Sequence, residues 1–254
     1  MLSPSDLARW KADGFLAVPQ LLSTEEATLV RAAAKRRQSE VRMHRVLDDE
    51  RRSVNLWMWN QLDDDVFGMI SRSRRVVDRM EQLLEGEVYH YHSKVNMKEP
   101  HESGRWVWHQ DYDYWYYRGC LLPDMGSCFI ALDRCTAENG CLQVMRASHL
   151  MGRLDHVDAS SSQRAADPAR VEQVLQRLDV VTCELEPGDA VFFHANTLHS
   201  SGPNTSDQER WVMLCCYNTA RNDPYLLVDH PRYTPLDKVE DDKVTTYARQ
   251  AALS

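Results

Sequence analysis

The sequence predicts an α+β fold in which N-terminal helices flank a β-rich barrel or sandwich. Apolar residues recur at helical spacing up to Gly86, and short β-rich segments bounded by turn residues follow it. Helices followed by many short strands are typical of this class. No Pro/Gly/Ser-rich linker divides the 254 residues. We therefore expect one domain over 1–254, with a helical part at about 1–86, a barrel at about 87–220 and a C-terminal extension at 221–254.

Three helices are predicted in the N-terminal part. The first follows the cap residues at 3–6, and the second begins at 23–26, where a hydroxyl cap precedes two acidic residues in the first turn. A short strand is expected between them at 14–19. The third helix is expected at 65–85, because apolar residues recur there at helical spacing and Gly86 provides a stop signal.

Seven strands are predicted after Gly86, separated by turn signals such as the Glu-Pro-Gly-Asp segment at 186–189. The predicted strands lie at about 88–98, 105–109, 127–133, 141–146, 180–186, 190–194 and 210–218. Residues 160–178 interrupt this series with a polar loop and a short helix. Because the loop 155–178 is polar and breaks the strand pattern, we expect it to act as a mobile lid.

Composition argues against several classes of function. A formal net charge of −8 opposes a general nucleic-acid role. No run of about 18 apolar residues is present, so no membrane span is expected. Seven cysteines without a C-x-x-C pair, and no recognisable signal peptide, favour free thiols in the cytoplasm. The expected partner is a small-molecule substrate, and the sequence leaves a homodimer open.

The motif His109-Gln110-Asp111 indicates a metal-binding site. On a strand, residues i and i+2 face the same way, so His109 and Asp111 can present an imidazole and a carboxylate to one point. His199 is the best candidate for a third ligand, because it follows the predicted strand at 190–194. Two histidines and one carboxylate on one face of a metal leave positions open for the oxygen chemistry of Fe(II).

Spacing alone leaves other interpretations open. The H-x-D pattern arises often by chance, and ten histidines make a distal His easy to find. The three residues could form a zinc or polar cluster in a barrel without activity, although the helical H-E-x-x-H of zinc enzymes is absent. A cysteine hydrolase is a third possibility. Cys215 and Cys216 lie on an apolar strand, where thiols are usually inert, which argues against it.

The segment WHQDYDYW at 108–115 resembles the metal motif of the phytanoyl-CoA dioxygenase family, nearest to the branch with ectoine hydroxylase and a bacterial proline 4-hydroxylase. The resemblance runs from about Tyr89 to Asn218. It implies a double-stranded β-helix core, of the jelly-roll or cupin type, with N-terminal flanking helices. It also implies an enzyme that uses Fe(II), 2-oxoglutarate and O2. Related halogenases have a small residue where Asp111 stands, so halogenation is disfavoured.

The resemblance also assigns roles to individual residues. The residues that match the iron ligands are His109, Asp111 and His199. The residues that match 2-oxoglutarate contacts are Arg210, Ser201, Asn96 and His92, the last in place of a glutamine. Trp115 matches a tryptophan that lines the active site. Candidate cations for a substrate carboxylate are Lys94, Arg105 and Arg118.

The implied reaction is hydroxylation of an unactivated C–H bond with release of succinate and CO2. The expected substrate is a small polar metabolite, in the first place a free amino acid or an amino-acid-like compound. The same residues could instead act on a natural-product intermediate or a carrier-bound substrate, by hydroxylation, desaturation or cyclisation. A metal-binding β-barrel without catalytic activity is the remaining alternative.

Overall fold

A computed structural model describes residues 1–227 and 229–253 of the chain. Val228 and Ser254, which belong to the predicted C-terminal extension, lie outside the described residues. The helices are α1 (Pro4–Asp13), α2 (Thr24–Arg37), α3 (Val66–Arg72), α4 (Arg74–Leu84), α5 (Asp111–Tyr116), α6 (Pro168–Leu175) and α7 (Asp242–Leu253).

Most of the strands follow Gly86, as expected. They are β1 (Phe15–Val18), β2 (His44–Leu47), β3 (Ser53–Trp59), β4 (Val88–Lys98), β5 (Trp106–His109), β6 (Met125–Ala131), β7 (Leu142–Met145), β8 (His156–Asp158), β9 (Arg164–Ala166), β10 (Val180–Cys183), β11 (Ala190–His194), β12 (His199–Ser201) and β13 (Arg210–Thr219).

Two antiparallel sheets form the centre of the structure. The large sheet has the order β1-β11-β6-β13-β4-β3-β2, and the small sheet has the order β10-β7-β12-β5. One apolar cluster joins them, since it contains Phe129 and Phe193 of the large sheet together with Val144 and Cys183 of the small sheet. The sheets therefore pack face to face, and burial of this apolar surface stabilises the layer between them.

The helices cover the outer face of the large sheet. A second apolar cluster contains Trp10 of α1, Val30 of α2 and Met80 of α4, packed with Val95 and Met213 of the two central strands. Because both faces of β4 and β13 are covered, nearly every residue of these strands is buried. The predicted α+β class is confirmed at this level of helices and antiparallel sheets.

The predicted single helix at 65–85 is wrong, because the structure divides it at Ser73. Ser73 has extended backbone angles (φ −65°, ψ 141°) and separates α3 from α4. Its segment pairs with a distant part of the chain: Arg74 N donates to Val239 O at 3.1 Å, and Val239 N donates to Arg72 O at 3.0 Å. These hydrogen bonds compensate for the helical ones that the break removes.

The structure also contains strands that the sequence analysis did not predict. The hairpin of β2 and β3 lies within the part expected to be mainly helical, and it extends the large sheet beyond β4. In the segment 155–178, the expected short helix is present as α6, and the expected polar loop contains the hairpin of β8 and β9. β12 was also missed, because a strand of three residues carries almost no periodic signal.

No helix in the described part of the chain has the length and apolar character needed to cross a membrane.

All seven cysteines are free and buried. Burial raises the pKa of the Cys216 thiol to about 12, and it also raises the pKa of Cys215. Such thiols are poor nucleophiles, which argues against a cysteine hydrolase.

His90 on β4 makes the stability of the fold depend on pH. Its Nδ1 lies 3.2 Å from Asn60 O, which can only accept, so Nε2 accepts the hydroxyl proton of Ser93 at 2.8 Å. Burial lowers the pKa of His90 to about 4, from an ordinary value of 6.5. Between these values the unfolded chain binds a proton that the folded chain excludes. The contribution of neutral His90 to the free energy of unfolding is therefore complete above pH 6.5, and it is lost as the pH falls towards 4.

We therefore expect the unfolding temperature of the metal-free protein to fall by a few degrees more in the wild type than in His90→Gln when the pH is lowered from 7 to 5. Glutamine has no titrating group, so it removes this part of the pH dependence. Calorimetric melts of both proteins at the two pH values measure the difference. Equal falls in the two proteins would show that His90 does not contribute.

Candidate metal centre

His109, Asp111 and His199 come together at one edge of the small sheet. His109 ends β5 and His199 begins β12, and these residues are direct partners in the antiparallel register, with ring centroids 4.1 Å apart. Gln110 is extended (φ −112°, ψ 131°), so the side chains of residues 109 and 111 face the same region. Asp111 itself is the first residue of α5, so the extended geometry that the motif was expected to have ends at Gln110.

The distances suit one shared cation. Asp111 Oδ1 lies 3.8 Å from His109 Nε2 and 3.8 Å from His199 Nε2. One ligand atom from each of the three residues lies within 4.8 Å of the others, and all three residues are buried. Two imidazole nitrogens and one carboxylate oxygen form the donor set that Fe(II) oxygenases use, with room for further ligands.

Hydrogen bonds to neighbouring groups fix the donor atoms. His109 Nδ1 donates to Val107 O at 2.7 Å, and His199 Nδ1 donates to Thr197 O at 2.9 Å. Since the carbonyls can only accept, each imidazole keeps the lone pair of Nε2 free. The Ser127 hydroxyl donates to Asp111 Oδ2 at 3.1 Å and leaves Oδ1 available. Such outer hydrogen bonds orient metal ligands and set their basicity.

The charge states also suit a cation. Burial, with His199 close by, lowers the pKa of His109 to about 3, and burial lowers the pKa of His199. Burial opposes ionisation of Asp111, but the ammonium of Lys94 favours it, and the pKa of the carboxyl lies below its ordinary value. The site therefore presents two neutral imidazoles and one carboxylate, which is the protonation state that metal binding requires.

A narrow cavity lies beside these residues, between the two sheets. Its lining residues are Lys94, Asn96, Trp106, His109, Phe129, Leu142, Phe193, His199, Ser200, Ser201, Arg210 and Leu214. The predicted residues Lys94, Asn96, Ser201 and Arg210 are thus brought to one cavity with both histidines. Trp106 and Ser200 were not predicted, because β5 and β12 are too short to show which of their residues face inwards.

Arg210 is a buried cation without a partner. It is 1% exposed, and its guanidinium makes no hydrogen bond or salt bridge with the described residues. Arg210 Nε, Asn96 Oδ1 and Trp106 Nε1 are all buried without hydrogen-bond partners. Unpaired buried polar groups are costly and usually indicate a missing ligand. A cation and an indole N–H around one cavity fit a polar anion such as a dicarboxylate, and thus 2-oxoglutarate. Asn96 could contact such an anion only through its amide N–H, because its Oδ1 accepts.

His92 and Trp115 contact each other and are not among these lining residues. The β4–β13 register shifts between Cys216 and Tyr217, so Tyr91 is an extra residue on β4, and its ring and the His92 ring both approach Trp115. His92 and Trp115 are 5.9 Å apart between ring centroids. His230, which the sequence analysis missed, stacks on Tyr91 at 4.8 Å. Contact of His92 with 2-oxoglutarate stays a prediction.

The other two candidate cations also lie outside the cavity lining. Arg118 is exposed just beyond α5. Arg105 pairs with Asp49, whose Oδ1 accepts a hydrogen bond from Arg105 Nε at 2.8 Å. Among the three proposed cations, Lys94 is therefore the one that faces the cavity. Binding of substrate by Arg118 stays a prediction.

Hydrogen bonds connect the metal motif and α5 to the segment at 152–164. Gln110 Nε2 donates to Gly152 O at 2.8 Å and to Asn196 O at 2.7 Å, and its Oε1 accepts from Leu154 N at 2.7 Å. Asp113 accepts a hydrogen bond from Arg164 Nε at 2.8 Å. These bonds anchor the start of the expected lid to the motif. Its mobility stays a prediction.

Ser127→Ala is expected to weaken Fe(II) binding about 10-fold with little change in fold. The substitution removes the hydroxyl that orients Asp111, and loss of such outer partners typically costs 10- to 100-fold in metal affinity. Competition with a chromophoric chelator under anaerobic conditions measures the affinity. Ser162→Ala, on the surface of the segment 155–178, is the control. Equal affinities in Ser127→Ala and wild type would show that the hydroxyl does not support the site.

Comparisons with known proteins agree with this geometry. The model of the family described as phytanoyl-CoA dioxygenase matches residues 10–212. An L-proline trans-4-hydroxylase from Streptomyces griseoviridis is 33% identical, over 93% of this chain and 96% of that protein. An ectoine dioxygenase from Streptomyces avermitilis is 27% identical, over 87% of this chain and 80% of that protein.

Solved structures show the same fold. The crystal structure of EctD from S. alaskensis with bound Fe has a TM-score of 0.78 and 20% identity, over 94% of this chain and 88% of that one. The epimerase SnoN, in complex with Fe3+, alpha ketoglutarate and nogalamycin RO, has a TM-score of 0.70 and 21% identity, over 93% of each chain. The resemblance seen in the motif at 108–115 is confirmed, and the chain belongs to the phytanoyl-CoA dioxygenase family.

Proposed function

We propose that this protein is an Fe(II)- and 2-oxoglutarate-dependent dioxygenase that hydroxylates an unactivated C–H bond of a small polar metabolite, releasing succinate and CO2. The observation that carries the proposal is one cavity that joins the His109, Asp111 and His199 cluster to the unpaired Arg210. Such a cavity would accommodate a metal and an anion side by side. The double-stranded β-helix description of the core is part of this proposal, supported by the likeness to EctD.

Different residues of the chain would hold the metal, bind 2-oxoglutarate and limit the access of water. His109, Asp111 and His199 would hold Fe(II), which supplies the oxidising chemistry when bound together with 2-oxoglutarate and O2. Arg210 would grip the distal carboxylate of 2-oxoglutarate through parallel N–H groups, with help from Ser201 and Asn96. The apolar walls of the cavity, such as Phe129 and Phe193, limit access of water to the reacting groups.

We propose a free amino acid or an amino-acid-like compound as substrate. The names of the relatives, an L-proline trans-4-hydroxylase and an ectoine dioxygenase, support this class. Lys94 supports it as well, because it lines the cavity and makes no hydrogen bond or salt bridge in the described part of the chain. Burial opposes its charge, but nearby Asp111 outweighs this and raises the pKa of Lys94, so the side chain is a cation. Trp115 and Arg118 remain proposed substrate contacts.

A natural-product intermediate is the second candidate substrate. The likeness to SnoN, whose crystal structure contains nogalamycin RO, favours it. Products distinguish the two classes, since an enzyme that acts on a natural-product intermediate would leave free amino acids unchanged.

The test is oxygen-dependent succinate release by the iron-loaded protein with 2-oxoglutarate and a set of amino acids that begins with L-proline. We expect one compound to stimulate succinate release and to gain one oxygen atom, as measured by mass spectrometry. Reactions without O2, and reactions with Asp111→Ala, are the controls. Succinate formation that no amino acid stimulates, combined with conversion of a natural-product intermediate, would favour the second candidate.

We also propose that the chain works as one domain in the cytoplasm. Residues from Trp10 in α1 to Ala248 in α7 share one apolar cluster, which supports a single domain. The seven free, buried cysteines support a reducing compartment. A homodimer is compatible with this proposal, and sedimentation equilibrium of the purified protein would measure the oligomeric state.

A further inference from the structure

Lys98 is a fully buried lysine at the end of β4, on the same strand face as Lys94 and Asn96. Its ammonium donates to Ser201 Oγ at 2.8 Å, to Ser201 O at 3.4 Å and to Gly202 O. These three acceptors match the three N–H groups of a charged lysine. Lys98 makes no salt bridge with any described carboxylate, so its charge is not compensated within this part of the chain.

Arg210 lies directly opposite Lys98 in the β4–β13 register. Opposite residues of an antiparallel pair point to the same face, so two buried cations stand side by side. Burial lowers the pKa of Lys98 well below its ordinary value, and Arg210 adds to the effect. An anion bound beside both groups would stabilise both charges.

The neighbouring loop is built closely around this lysine. Gly140 has φ +77°, which favours glycine, and a Cβ placed there would overlap the carbonyl oxygen of Gly202 and lie 3.0 Å from Lys98 Nζ. Residue 140 therefore has to be small for the loop to close over the ammonium. The enclosure keeps Lys98 away from solvent and fixes its position against Ser201.

The hydrogen bond from Lys98 determines what the Ser201 hydroxyl can do. Because Ser201 Oγ accepts from the ammonium, its own hydrogen is free to donate elsewhere. Ser201 lines the cavity together with Arg210, whereas Lys98 does not. The free hydroxyl hydrogen can therefore be directed at an anion that Arg210 holds.

We propose that Lys98 is a positioning residue for 2-oxoglutarate. This inference rests on the function proposed above. It fixes Ser201 as a hydrogen-bond donor to the distal carboxylate and, beside Arg210, makes that end of the cavity selective for a dicarboxylate. A lysine that merely holds the turn at 201–202 would affect every keto acid equally. Selectivity between keto acids therefore separates the two roles.

The test compares 2-oxoglutarate with 2-oxopentanoate, which has the same keto acid end and chain length but lacks the distal carboxylate. Each is titrated anaerobically into protein loaded with Fe(II), and the visible charge-transfer band of the chelated keto acid gives the affinity. In Lys98→Met, we expect 2-oxoglutarate to bind about 10-fold more weakly, the effect of losing one charge-assisted hydrogen bond. We expect the affinity for 2-oxopentanoate to stay within about 2-fold.

Ser201→Ala and the double variant test the route of the effect. We expect Ser201→Ala to show the same selective loss, and the double variant to be no weaker than Lys98→Met, because residues that act through one contact are not additive. Lys98→Gln keeps an N–H donor and should recover part of the affinity for 2-oxoglutarate. If Lys98→Met does not fold, Lys98→Gln takes its place in the comparison of the two keto acids.

Three outcomes would overturn the inference. They are an unchanged affinity for 2-oxoglutarate in Lys98→Met (or in Lys98→Gln, if Lys98→Met does not fold), equal losses for both keto acids, and an unchanged affinity in Ser201→Ala. A wild-type protein that forms no band with either keto acid would contradict the proposed function itself, and is therefore distinguishable from failure of the role of Lys98.

Discussion

Asp111→Ala is expected to lower substrate-dependent succinate formation by more than about 100-fold. Losing a hydrogen-bond partner of a metal ligand typically costs 10- to 100-fold, and losing the ligand itself should cost more. Asp111 is also the one anion among the three clustered residues, so its removal leaves Fe(II) with two neutral imidazoles. Initial rates at saturating iron and 2-oxoglutarate measure the loss.

The matched control for this variant is His101→Ala. His101 is an exposed histidine that pairs with Asp207 on the surface, so its loss removes a potential metal-binding side chain without touching the cavity. We expect it to retain wild-type rates. If Asp111→Ala retained the rate of His101→Ala while both were folded, the assignment of the ligands would be wrong.

Arg210→Met is expected to raise the KM for 2-oxoglutarate by about 100-fold with a much smaller change in kcat. Removing one partner of a buried, hydrogen-bonded charge pair typically costs about 2–5 kcal/mol, and about 2.7 kcal/mol corresponds to 100-fold. The unliganded protein should be as stable as the wild type or more stable, because Met removes an unpaired charge and keeps the apolar volume. Steady-state kinetics and thermal melts measure the two effects.

Two further variants sharpen this result. Arg210→Lys keeps a charge but loses the planar pair of N–H groups, so we expect it to recover only part of the affinity. Arg134→Met alters an exposed arginine that pairs with Glu186 on the surface, and it should behave as wild type. An unchanged KM in Arg210→Met would exclude a role for this residue in holding 2-oxoglutarate.

The metal cluster could be predicted from sequence because its signal is local. His109 and Asp111 are separated by one extended residue, so strand alternation brought them to one face even though Asp111 begins a helix. Arg210 was found only through the resemblance. Its burial without a partner depends on the pairing of β13 with β4 and with β6, which no local pattern reveals.

The errors have physical causes of the same kind. The break at Ser73 depends on hydrogen bonds to Val239, which lies far away along the chain. Helical periodicity continues across Ser73, so the local pattern does not predict the break. Ser127 was missed because its contact with Asp111 joins β6 to α5. Lys98 could have been found, since the alternation that placed Lys94 and Asn96 on one face of β4 continues to residue 98.

The central claim is that one cavity holds Fe(II) on three protein ligands and 2-oxoglutarate against Arg210. An anaerobic titration of the metal-free protein with Fe(II) and 2-oxoglutarate, followed by visible absorption, tests it most directly. We predict a charge-transfer band that neither component gives alone, that is lost in His109→Ala and Asp111→Ala, and that needs far more 2-oxoglutarate in Arg210→Met. Well-folded wild-type protein without this band, or with the same band in all three variants, would contradict the claim.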